Sequence, residues 1–124
     1  MSQPSASVKR LVDERDGRCC SVCGRYLPGS PGGRHHRQLR SQQPDPTLLH
    51  RPSNLIDICG TGTTGCHGWV HAHPAEAYRL GLLVRMGRDP SETPMLRYAR
   101  SDRPQWVMLN DNGDITVTDP PEAA

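Results

Sequence analysis

Cysteine and histidine carry the chemical potential of this chain, and both are clustered. Four of the five cysteines fall in two pairs, Cys20-x2-Cys23 and Cys59-x6-Cys66. Two thiolates on one tight turn can reach a single ion, and a second pair completes a tetrahedral zinc site with no open position, which makes the site structural. Cys20-x2-Cys23-Gly24 has the standard knuckle spacing and Cys19-x3-Cys23 is less usual, so Cys19 is the spare. The six histidines form two groups, His35-His36 with His50, then His67, His71 and His73. His67 and His71 are four apart, so on a helix they share a face and can bind one ion. His73 belongs to another helical face and reads as a surface residue. An ion held by two or three imidazoles with positions left open is a Lewis acid suited to phosphoryl chemistry. Hydrolysis of a phosphodiester also needs a base that activates water beside such a cation.

Those residues must be positioned by short elements. Val8, Leu11, Val12 and Arg15 have helical spacing, which predicts a helix from Ser7 to Asp16 with Ser7 as N-cap and Gly17 as its stop. Residues 1–6 read as a frayed end. The knuckle Cys19 to Gly24 leads into an irregular loop from Pro28 to Gly33. Arg34 to Leu39 is predicted to be a short strand. Residues 41–53 contain Pro44, Pro46 and Pro52 and cannot be one regular element. Leu55 to Ile58 has strand composition, Thr61 to Gly65 is a loop, and helical segments are predicted over Cys66–Ala72 and Pro74–Leu80. Asn112-Gly113 between Gln105–Leu109 and Ile115–Thr118 predicts a hairpin, an accessory one spanning about residues 104–118. The fold class is therefore α+β, read as a single domain over residues 1–124.

Composition says why a metal staple is needed. Among 124 residues only 34% are hydrophobic and 4% aromatic, with no Phe. A chain this small with so few large apolar side chains needs a metal, disulfides or a partner chain to help hold it. The start, Met1 to Lys9, has no apolar run resembling a signal peptide, and no stretch approaches a membrane span, which points to a cytoplasmic protein without membrane association and to metal binding rather than disulfides. The net charge is only +2. Its distribution is uneven: Arg34, Arg37, Arg40 and Arg51 face one acid, Asp45, between Pro31 and Arg51, whereas nine acids outnumber six arginines from Pro52 onward. Positive charge around the first histidine pair suits a phosphate-bearing substrate.

The series Cys20-x2-Cys23, His35-His36, Asn54, Cys59 and Cys66-His67, with arginines between, resembles the HNH endonucleases, whose ββα-metal core is also called the His-Me finger. The stretch Gly60 to Pro74 is particularly similar to small HNH proteins encoded by bacteriophages. The resemblance covers about residues 18–80. It implies that His36 is the general base, that Asn54 holds the loop between the strands and so orients the base, and that His67 is a ligand of the catalytic ion. It also implies that His35 and His71 complete that ion's ligands, His35 standing where many members have Asp. The ion would be Mg²⁺, Mn²⁺, Ni²⁺ or Zn²⁺, with an all-imidazole set favouring softer ions than Mg²⁺, and a separate structural Zn²⁺ would sit on the cysteines. The implied partner is DNA, contacted mainly through its backbone by Arg34, Arg37 and Arg40, in the cytoplasm of a host cell, with phage DNA-processing or packaging proteins as further partners. The implied activity is metal-dependent hydrolysis of DNA phosphodiesters. A second reading keeps the knuckles without the chemistry, as a non-catalytic zinc-binding nucleic-acid module.

Overall fold

The first helix, α1 (Ala6–Arg15), begins one residue before the spacing predicts, because Ser5 and not Ser7 caps it: the Ser5 Oγ accepts from the Val8 N–H. The computed structural model describes residues 2–28 and 34–122, so the loop expected from Pro28 to Gly33 lies outside the described residues from position 29 onward. Residues 2–6 are tied down rather than frayed. Pro4 is buried and Ser2 hydrogen-bonds His50. Gly17 ends the helix as expected, with φ +64°.

Strand β1 (Arg34–His36) pairs antiparallel with β2 (Leu55–Asp57), in the register Arg34↔Asp57, His35↔Ile56 and His36↔Leu55. Both strands are shorter than their apolar patterns suggested. The connection between them holds the short helix α2 (Pro46–Leu49) and a 3-10 turn at Pro52–Asn54, which is how a segment with three prolines satisfies its backbone without one long element. Pro46 sits at the first helical position, and the Asp45 carboxylate accepts from the Thr47 N–H at 2.9 Å. After β2 come α3 (Gly65–Ala72) and α4 (Pro74–Arg79), separated at His73 because Pro74 has no N–H to continue the ladder.

Helix α1 is fastened to this unit by its last turn. The Arg15 guanidinium donates to the carbonyls of Pro52 at 2.7 Å and Leu55 at 2.5 Å and pairs with Asp16. Asp16 accepts in turn from the Asp57 N–H at 2.8 Å. The predicted hairpin forms as β4 (Gln105–Leu109) and β5 (Ile115–Val117). A strand the pattern did not predict, β3 (Met95–Arg97), joins β4 to make a three-stranded antiparallel sheet in the order β3-β4-β5. The sheet is therefore no appendage: Met95, Val107 and Leu109 are buried with Ile56, Ile58, Val70, Ala77 and the Leu82-Leu83 run in one core. At the hairpin turn Gly113 has φ +86°, and a Cβ there would lie 2.7 Å from the Leu11 side chain, so glycine lets the turn close over α1. No helix among the described residues is long and apolar enough to cross a membrane.

Candidate metal centres and active site

The sulfurs of Cys20, Cys23, Cys59 and Cys66 all lie within 4.8 Å of one another. Cys23 and Cys59 are 3.9 Å apart, close to the edge of about 3.8 Å that a tetrahedron with zinc–sulfur bonds of about 2.3 Å requires. The long Cys59-x6-Cys66 gap closes because the intervening loop folds back on itself. The Gly60 Cα touches Gly65 so closely that a Cβ on Gly65 would meet it at 2.8 Å, and one on Gly60 would meet the Thr64 carbonyl at 2.1 Å. Both glycines have positive φ. The His67 N–H then donates to the Cys59 carbonyl at 3.0 Å, setting the first turn of α3 beside Cys59.

The surroundings suit a charged sulfur cluster. Backbone N–H groups of Val22 and Cys23 point at the Cys20 sulfur, and that of Cys66 at the Cys59 sulfur, at 3.4–3.5 Å. Arg100 lies 3.9 Å from the Cys66 sulfur. Without a cation, burial pushes the Cys20 thiol up to about 11 and Cys66 upward as well, with neighbouring sulfurs adding repulsion. A divalent cation removes that obstacle, so these four residues can hold a structural metal ion. Cys19 points elsewhere, toward the Gly17 carbonyl at 3.4 Å, and is outside the cluster.

The second cluster contains His35, His67 and His71, whose ligand nitrogens also lie within 4.8 Å of one another. The ring centroids are 5.1 Å apart for His35–His67, 5.6 Å for His35–His71 and 4.9 Å for His67–His71. Strand β1 supplies the first ring and one face of α3 the other two. His35 is buried, and its Nε2 lies 2.7 Å from the Leu82 carbonyl. A carbonyl can only accept, so Nε2 carries the proton and Nδ1 keeps the lone pair for an ion. Burial pushes His35 down to about 3 and lowers His67 too, with the neighbouring imidazoles acting in the same sense. The His35 ring is therefore neutral at physiological pH, the state in which imidazole binds a cation. Burial falls from His35 through half-buried His67 to exposed His71. One side of the cluster faces an open cleft of about 330 Å³ lined also by Arg34, His36, Leu39, Arg40 and Ser41. A three-imidazole set open on one side is the arrangement that leaves positions for substrate or water.

His36 is half-buried at the rim of this cleft. Its Nε2 lies 3.0 Å from the Nδ1 of His50, and burial followed by the charge of Arg40 pushes its pKa down to about 4. Asn54 is fully buried. Its Oδ1 accepts from the Gln38 N–H at 2.6 Å, and its Nδ2 donates to the carbonyls of Gln38 at 3.1 Å and Leu49 at 2.9 Å. One side chain thus clamps the chain leaving β1 to the end of α2. His73 stays apart, stacked on Trp69 with its Nδ1 at 2.9 Å from the Trp69 carbonyl.

The three arginines expected to grip phosphate divide. Arg37 does not face a ligand: it is 0% exposed and donates to the carbonyls of Gly81, Ser53, Pro90 and Thr93 at 2.8–3.0 Å. The reason is strand alternation followed by a loop that wraps it. Arg37 leaves β1 on the inner side, where carbonyl groups of three later segments converge. Arg34 is held by Asp13 through two bonds, at 3.0 and 2.5 Å. Arg40 lines the cleft with no ion-pair partner among the described residues. Arg51 is likewise committed, to Asp89 at 3.0 Å and Asp111 at 2.7 Å. The acidic hairpin turn therefore braces the segment that carries Asn54.

Sequence reasoning missed three contributors: His50 as a partner of His36, Leu82 as the acceptor that orients His35, and β3. The apolar run Leu82-Leu83-Val84 between Gly81 and Arg85 was a usable signal for a buried segment. Nothing local pairs His50 with His36. Comparison of the chain with protein-family models, with curated proteins and with solved structures returns no match.

Proposed function

We propose that this protein is a metal-dependent DNA endonuclease of the HNH type, with β1, β2 and α3 as its ββα-metal core. The observation that carries this reading is the placement of His36 beside the open His35–His67–His71 cluster, with Asn54 clamping the loop that follows it. A divalent ion on the three histidines would supply a Lewis acid for the scissile phosphate. His36 accepts a proton from the attacking water; burial and the charge of Arg40 keep its ring neutral beforehand, the form that has a lone pair to accept with. Arg40 sits in the same cleft and places positive charge beside a phosphate. Asn54 fixes the distance between the strand that carries His36 and the loop that closes behind it. Of the three expected arginines Arg37 is wholly buried and Arg34, although it lines the cleft, is paired with Asp13, so Arg40 alone of the three offers a cation with no ion-pair partner among the described residues. The four-cysteine site holds the knuckle against the start of α3 and takes no part in the reaction.

The test uses supercoiled plasmid with the purified protein and Mg²⁺, Mn²⁺, Ni²⁺ or Zn²⁺, repeated with EDTA and with His36→Ala. Nicking or linearisation by wild type, abolished by EDTA and by His36→Ala in a folded protein, is the expected result. Plasmid left intact with every ion would sink the enzyme reading; if DNA binding persisted, the chain would be a non-catalytic zinc-binding nucleic-acid module.

A further inference from the structure

His50 belongs to neither metal cluster and has no part in the reaction as described above, yet it is buried and fully engaged. Its Nδ1 lies 3.0 Å from the Nε2 of His36, and its Nε2 lies 2.9 Å from the Oγ of Ser2. The two imidazoles tilt at 57° with centroids 5.1 Å apart, so they meet edge to edge through nitrogen and not by stacking. Three groups, Ser2, His50 and His36, thus form one chain of hydrogen bonds that ends at the cleft.

A neutral imidazole carries one proton, so the polarity of this chain decides which nitrogen of His36 is basic. If His50 donated from Nδ1, the His36 proton would sit on Nδ1 and its lone pair would be consumed in the contact with His50. In the opposite polarity the His36 Nε2–H donates to the His50 Nδ1, and the His50 Nε2–H donates to the Ser2 hydroxyl oxygen. The His36 Nδ1 then keeps its lone pair, and it makes no hydrogen bond among the described residues. Only the second arrangement leaves a base.

The backbone holds the two rings at this separation. His36 is two residues before Gln38, and His50 directly follows Leu49. Gln38 and Leu49 are the two residues that the Asn54 amide binds. His50 is also the C-cap of α2, whose N-terminus is fixed by Asp45. One buried side chain therefore sets the spacing of the histidine pair.

We propose that His50 is a positioning residue that holds His36, a ring that lines the cleft, in its Nε2–H form, so that its Nδ1 keeps a free lone pair. When His36 accepts a proton at Nδ1, its Nε2–H stays on the His50 Nδ1, and no proton passes to His50. This inference rests on the nuclease reading for its consequence in catalysis but not for the pairing itself.

Two measurements separate the two claims. In long-range ¹H–¹⁵N spectra of the imidazole rings, recorded on protein holding one zinc per chain near neutral pH, His36 is expected in the Nε2–H form, and His50→Ala is expected to give a mixture of forms. In plasmid cutting, His50→Ala should lower kcat by about 10- to 100-fold, the usual cost of losing a group that orients a catalytic one, with KM changed by less than about twofold. His50→Asn, whose side-chain amide can place an acceptor near the lost Nδ1, should recover most of kcat, whereas a purely structural role would not distinguish Asn from Ala at equal melting temperature. An unchanged His36 form in His50→Ala, wild-type kcat in that variant, or no rescue by Asn overturns the inference and leaves the nuclease reading standing. If wild type leaves plasmid intact with every ion, the nuclease reading fails, and the ring spectra alone decide whether His50 sets the form of His36.

Discussion

Replacing Arg37 by Met separates a structural cation from a DNA-binding one. The substitution keeps most of the apolar stem and removes four hydrogen bonds to carbonyl oxygens. Of the acceptors, Pro90 retains a second donor, the Thr93 N–H at 3.3 Å. The carbonyls of Gly81, Ser53 and Thr93 are left without a partner among the described residues. Each such buried group costs about 1–3 kcal/mol. Relief from burying a guanidinium that has no carboxylate beside it returns part of that. The expected net loss is about 3–5 kcal/mol, or roughly 10–20 °C in Tm for a chain of this length. Urea unfolding followed by the fluorescence of Trp69 and Trp106, at one fixed free-zinc concentration so that metal linkage is the same for both proteins, measures it. At a temperature where the variant is folded, its Kd for DNA should match wild type. A variant that is as stable as wild type but loses DNA affinity would refute the burial argument.

Three further outcomes are expected. Cys23→Ser should lower zinc content to below one per chain and lower Tm, because the closed sulfur site supplies folding energy, whereas Cys19→Ser should leave both unchanged; metal analysis and thermal melting read the two together. Burial, then the neighbouring Asp13 and Asp16, raises Asp57 to about 8. A carboxyl whose folded pKa lies above its unfolded value binds more protons when folded, so its contribution to stability is lost as pH rises from about 4 through about 8. Asp57→Asn, which mimics the protonated group, should therefore raise Tm more at pH 8 than at pH 5; the reverse order would count against a protonated Asp57. Asn54→Ala should destabilise by about 3 kcal/mol for three buried hydrogen bonds and should disturb the His36 and His50 ring signals together, as the shared clamp requires; a shift in only one ring would contradict that clamp.

Much of the site is legible along the chain because its chemistry uses local spacing. Cys20-x2-Cys23 must lie on one turn, and His67 and His71 must share a helix face, whatever surrounds them. The hairpin follows from Asn112-Gly113, and the break between α3 and α4 from Pro74, because both are properties of a few consecutive residues. Two short strands were overextended, since pairing over only three residues is set by where the partner strand ends and not by either strand's own pattern. The choice of Cys20 over Cys19 needed only the knuckle spacing, and the sulfur cluster contains Cys20.

Burial and hydrogen-bond partnership are where the sequence stops. Arg34, Arg37 and Arg40 look equivalent in a row of amino acids, spaced three apart in one basic stretch. The tertiary structure gives Arg34 to Asp13, wraps Arg37 in carbonyls from residues 16 to 56 positions away, and leaves Arg40 at the cleft. His35 and His36 are neighbours in sequence, but one is oriented by Leu82 and the other by His50. What the sequence determined by itself was which residue types could bind metal and act as a base. Which nitrogen each histidine presents, and which arginine is free to meet a phosphate, depends on acceptors brought from distant segments. A hydrogen bond across dozens of residues leaves no periodicity for a sequence to display.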